Sequence, residues 1–145
     1  MRARLLLVFA AAVALAVNGS GQDANKSELE GTWKGDRLDK AGQQLDEHAK
    51  TVRWEITGDK ITVIEGRLRV QGTVTVASKK SPKAIDVEAK ADGGRITFVL
   101  VGIYALEGDA LKVCYTATKG AERPKEFKAK PGSDHVLFIA KRQKP

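Results

Sequence analysis

The chain has 145 residues, room for one domain, and a formal charge of +7 from 25 Lys and Arg against 18 Asp and Glu. Its single cysteine, Cys114, excludes an intramolecular disulfide. The cations are scattered among acids, prolines and apolar residues, with no basic helix and no aromatic–basic interleaving, which argues against nucleic acid as a partner.

Met1-Arg2-Ala3-Arg4 leads into an apolar run from Leu5 to Val17, and Ala14-Leu15-Ala16 has the small-x-small pattern of a signal-peptidase site. The run is short for a permanent membrane span. A signal peptide is therefore expected over 1–16, with Asn18 to Gln22 offering a cleavage site a few residues later. No cysteine stands directly after the apolar run to carry a lipid. The expected destination is outside the cytoplasm: periplasmic, envelope-associated or secreted. Loss of Arg2 and Arg4 lowers the formal charge from +7 to +5. Residues 17–28 are polar and read as a flexible leader.

From Leu29 the signals are those of an all-β domain, expected over 29–142. A first strand, Leu29 to Leu38, carries Gly31-Thr32-Trp33. Ala41 to Lys50 lacks β character and reads as a loop with a turn of helix. Val52 to Ile56 alternates apolar and polar, Gly58-Asp59 turns the chain into Lys60 to Ile64, and Glu65-Gly66-Arg67 turns it again. Leu68 to Val76 then has unbroken period two, with Leu68, Val70, Val74 and Val76 on one face. Ala84 to Ala89 alternates likewise, and Asp92-Gly93-Gly94 signals a hairpin. Arg95 to Leu100 and Gly102 to Leu106 follow, with a bulge or bend expected at Gly102. Beyond Leu111 to Thr116 lies a long polar connection, with Glu126-Phe127-Lys128 expected as a short strand inside it. Val136 to Arg142 closes the sheet. Eight or nine short strands at this spacing predict a closed barrel, because closure satisfies every edge group that a disulfide-free sheet would otherwise expose. The inward Val, Ile and Leu set is dense enough to fill a small barrel outright.

Few motifs carry chemistry. There is no Gly-x-Ser-x-Gly, no Ser-x-x-Lys and no phosphate-cradling glycine loop, so no catalytic constellation is visible and the chain is expected not to be an enzyme. His48, His135 and Cys114 lack metal-ligand spacing, and neither a metal nor a cofactor is expected. Cys114 sits in a strand-like run and reads as a buried, inert thiol. The polar candidates for a ligand site are Asp86, which points away from its neighbours, Arg123 ahead of Pro124, and Tyr104 opposite Ile103. An Asp86–Arg123 pair would either pin a loop or, with Trp54 or Arg69, orient a carboxylate or a sugar hydroxyl. Gly31, Trp33 and Arg142 are candidates for closing the barrel: the indole plugs the narrow end, Gly31 lets the backbone pass close, and the cation lies over the ring.

These motifs in order resemble an uncharacterised family of small exported lipocalin-like domains abundant in planctomycete bacteria. The residues that carry the likeness are Gly31-Thr32-Trp33, Ser81 to Asp86, Gly102-Ile103-Tyr104, Gly108 to Cys114, Arg123-Pro124, Phe127, Val136-Leu137 and Lys141-Arg142. The resemblance covers about Leu29 to Arg142. It implies a single lipocalin-like up-and-down antiparallel β-barrel of about eight strands, and it supplies no catalytic residue. The expected function is binding of a small apolar or amphipathic ligand at the barrel mouth by a monomer. The alternative is an envelope interaction module that engages a protein or a wall polymer through a basic outer face, with weak association to anionic envelope surfaces.

Overall fold

Alternation along the chain becomes strand pairing. The computed structural model describes residues 28–144, so the expected signal peptide and residues 17–27 of the expected leader lie outside the described residues. The strands are β1 (Gly31–Lys40), β2 (Gln43–Gln44), β3 (Val52–Thr57), β4 (Lys60–Glu65), β5 (Leu68–Ala77), β6 (Lys83–Ala91), β7 (Ile96–Glu107), β8 (Ala110–Thr116) and β9 (His135–Gln143). One helical turn, α1 (Asp46–Ala49), lies between β2 and β3. Every pairing is antiparallel; β2 pairs only with β1, β1 pairs with β3, consecutive strands from β3 to β9 pair with one another, and β9 returns to β1. Apart from the two-residue β2, which folds back only on the end of β1, each strand has a partner on both sides. The result is a closed eight-stranded up-and-down barrel of lipocalin-like form.

The period-two stripes point inward. Val52, Trp54 and Ile56 of β3, Ile61 and Val63 of β4, Val70, Val74 and Val76 of β5, and Ile85, Val87 and Ala89 of β6 all belong to one core. The alternate residues of β3, β5 and β6 are mostly charged or hydroxylated, among them Arg53, Glu55, Gln71, Thr73, Asp86 and Glu88. Apolar inside and polar outside is the reverse of a barrel that spans lipid.

Two local expectations are corrected. Gly102 is neither a bulge nor a bend: β7 runs unbroken through it, in register with β6 and β8. A Cβ there would stand 2.5 Å from the Cys114 carbonyl oxygen and 2.7 Å from the Tyr115 Cβ, so the glycine serves close approach of β7 to β8. The register shift of the barrel lies instead in β1, between Gly35 and Arg37 opposite β9. Glu126-Phe127-Lys128 does not form a strand. In a closed barrel, the strands beneath it have no free edge left to pair with. Phe127 packs sideways instead, against an outer cluster of Ile103, Cys114, Ala129 and Leu137, with the Lys112 ammonium 5.5 Å from its ring centre. The connection between β8 and β9 therefore lies over the outer wall and buries the Cys114 thiol, whose pKa that burial raises.

Candidate functional site

The two ends of the barrel differ. At the end where β1 begins, Trp33 is wholly buried and its indole N–H donates to the Leu29 carbonyl at 2.8 Å. The Arg142 guanidinium stacks 4.2 Å from the ring centre and donates to the carbonyls of Glu28, at 2.8 Å, and Glu30. Gly31 makes this possible. Its φ of +130° suits glycine, and a Cβ there would meet the guanidinium at 2.9 Å. Gly31, Trp33 and Arg142 thus sit together, and the segment before β1 is strapped across this end. Ile85, Leu100, Leu111 and Tyr104 belong to the same core as Trp33, each no more than 1% exposed.

The other end is open. A cavity of about 530 Å³ enters between the finish of β1, the start of β3, the finish of β4 and the start of β9. Val52, Val63, Phe98, Val136, Leu38 and Leu45 form its apolar wall, with Trp54 and Phe138 set deeper. Those two rings pack at 5.1 Å between centroids, and Phe98 meets Tyr115 edge-on at 6.4 Å. Polar groups gather at the rim. His48, from α1, lies with Nε2 2.8 Å from Oε1 of Glu65 at the end of β4, and Lys40 has no acidic partner among the described residues. Burial, and then the nearby Glu65 carboxylate, push the Tyr115 phenol well above its ordinary pKa, so it remains a neutral hydroxyl. The arrangement is a cup with an aromatic floor and a polar lip, suited to a molecule that enters with its apolar part first.

The residues nominated from sequence are not gathered there. Of the five, only Trp54 lines the cup. Tyr104 lies near the far end of β7, so it sits at the closed end. Its hydroxyl is buried without a hydrogen-bond partner among the described residues, and burial, with the Glu28 carboxylate, pushes its pKa up to about 12. Asp86 and Arg123 do meet, but on the outer wall. Nη1 and Nη2 of Arg123 reach the two Asp86 carboxylate oxygens at 3.0 and 3.3 Å, and Nη1 also donates to the carbonyls of Ile85, at 3.2 Å, and Gly102, at 2.8 Å. That fork is spent on pinning the β8–β9 connection to β6 and β7. Arg69 is exposed on the outer face of β5 and lines neither the cup nor this junction.

Sequence reasoning missed Lys40, His48, Glu65, Phe98, Tyr115 and Phe138. For Glu65 a signal existed: it continues the inward phase of Ile61 and Val63, and a charge in phase at the end of an apolar stripe marks a rim. Among the described residues, no group of three His, Cys, Asp or Glu could hold a metal ion. Comparisons with family models, with curated proteins and with solved structures return no match to this chain.

Proposed function

We propose that this protein is an exported, non-enzymatic binding protein of the lipocalin-like kind that takes a small amphipathic molecule into the open end of its barrel. The observation that carries this reading is the cup: about 530 Å³, walled by aliphatic and aromatic side chains, with its charges confined to the lip. Apolar burial supplies the affinity and the lip selects the polar end. Lys40 is the one rim charge without a partner among the described residues, which favours an anionic or acceptor-rich head group. The N-terminal pattern of a basic start, an apolar run and Ala14-Leu15-Ala16 supports export.

Native mass spectrometry of the mature protein purified from its source, beside a denatured control, tests the reading. A bound small molecule released on denaturation supports it and identifies the ligand class. A clean apo mass, together with no uptake of an anionic amphipathic fluorophore such as 1-anilinonaphthalene-8-sulfonate, overturns it.

A further inference from the structure

A second concavity, of about 620 Å³, lies on the outer wall across β1 and β3. Four cations line it: Lys34, Arg53, Lys50 beyond α1, and Lys144 after β9; no carboxylate does. Thr32 and Gln143 add neutral hydrogen-bonding groups between them. The strand register accounts for the concentration of charge. Lys34 stands directly opposite Arg53 on β3 and directly opposite Lys141 on β9, all three on the outer face.

Like charges facing one another across a ladder cost stability, so folding gains nothing from this row. Neighbouring acids compensate only part of it: Glu55 lies 3.5 Å from Arg53, Glu47 lies 3.0 Å from Lys50, and Asp36 lies 4.0 Å from Lys141. Lys34 and Lys144 have no acidic partner among the described residues.

We propose that this groove seats an acidic polysaccharide chain, its anionic groups against Lys34, Lys50, Arg53 and Lys144 and its hydroxyls on Thr32 and Gln143. The cations line a concavity rather than a flat face, which suits a polymer chain able to enter it better than the plane of a lipid surface. No aromatic side chain lines it, so bases would have nothing to stack on, which disfavours single-stranded nucleic acid. The site is on the outside of the barrel and does not depend on the cup.

The test uses the full mature chain and polygalacturonate as probe, with neutral dextran, single-stranded DNA and anionic phospholipid vesicles as comparisons. Binding to polygalacturonate that weakens steeply with added salt is expected, with none to dextran. Lys34→Gln combined with Arg53→Gln is expected to lower affinity by about tenfold or more, while fluorophore uptake by the cup stays unchanged. Lys79→Gln combined with Lys80→Gln removes the same charge from the exposed β5–β6 turn and is expected to cost less than about twofold. Equal losses from the two double variants, stronger binding to DNA or to vesicles, or no binding to polygalacturonate at low salt would each overturn the proposal.

Discussion

Arg142 lies 4.2 Å over the Trp33 indole, and the same guanidinium donates to the carbonyls of Glu28 and Glu30. One side chain from the last strand therefore caps the first strand's tryptophan and holds the segment before it. Arg142→Ala removes the ring contact and both hydrogen bonds, and is expected to lower stability by about 2–3 kcal/mol in urea denaturation. Arg142→Lys keeps the charge but not the fork, and should recover less than half of that loss. A change below about 0.5 kcal/mol for the alanine variant would show that the strap contributes little.

The Asp86–Arg123 junction is structural, so it separates stability from binding. Arg123→Ala frees the β8–β9 connection from the carbonyls of Ile85 and Gly102 and from the Asp86 carboxylate. Both partners are partly exposed, which limits the effect to about 1–2 kcal/mol. Limited proteolysis should cut within 117–134 faster, while fluorophore affinity for the cup stays within about twofold of the parent, as expected for a site distant from the change. A large loss of cup binding without faster cutting would mean that Arg123 serves the ligand after all.

The barrel was legible because its strands obey period two so consistently: Leu68 to Val76 alone fixes which side of β5 is the core. The site was less legible, for a geometric reason. Trp33 and Trp54 look alike in sequence, each in phase with its strand's apolar stripe, and they are direct cross-strand neighbours. What makes one lie under a cation and the other line a cavity is the cap over one end and the gap at the other, and that depends on where eight strands finish together. Asp86, Arg123 and Tyr104 stand out in the sequence as polar residues of the motifs that carry the family resemblance, Arg123 in the long connection ahead of Pro124. Phase alone puts Asp86 outside and Tyr104 inside, but height along the barrel, which decides mouth or closed end, comes only from the assembled register. Helix α1 is a single turn in a polar stretch, and nothing local announces that His48 meets Glu65 seventeen residues later.

Filling the cup should abolish binding without unfolding the barrel. Val136 is on the cavity wall near the lip, so Val136→Phe extends into empty space rather than into packed core. Fluorophore affinity is expected to fall by about tenfold or more, with the melting temperature within a few degrees of the parent. Lys40→Glu tests the lip: affinity for an anionic probe should fall about thirtyfold and affinity for a cationic amphipath should rise, consistent with ~1 kcal/mol for each of the two units of charge changed at close range. Unchanged binding in both variants would place the probe somewhere other than the cup.

Tyr104 gives a prediction in which the sign depends on pH. Its hydroxyl is buried with no hydrogen-bond partner among the described residues, an arrangement that costs stability, so Tyr104→Phe is expected to stabilise the protein by about 1 kcal/mol at neutral pH. Burial also raises the folded-state pKa from 10.0 to about 12. The folded chain then holds this proton more tightly than the unfolded chain, a stabilisation fully present below pH 10 and lost as the pH rises through about 12. The phenylalanine variant has no such proton to lose, so its advantage over the parent should widen between pH 10 and 12, while every group common to the two proteins cancels in the difference. Urea denaturation of the two proteins at pH 7 and pH 11 measures both effects. A variant less stable than the parent at pH 7 would mean that the hydroxyl is satisfied in solution, and a gap that does not widen at pH 11 would mean that Tyr104 loses its proton no later folded than unfolded.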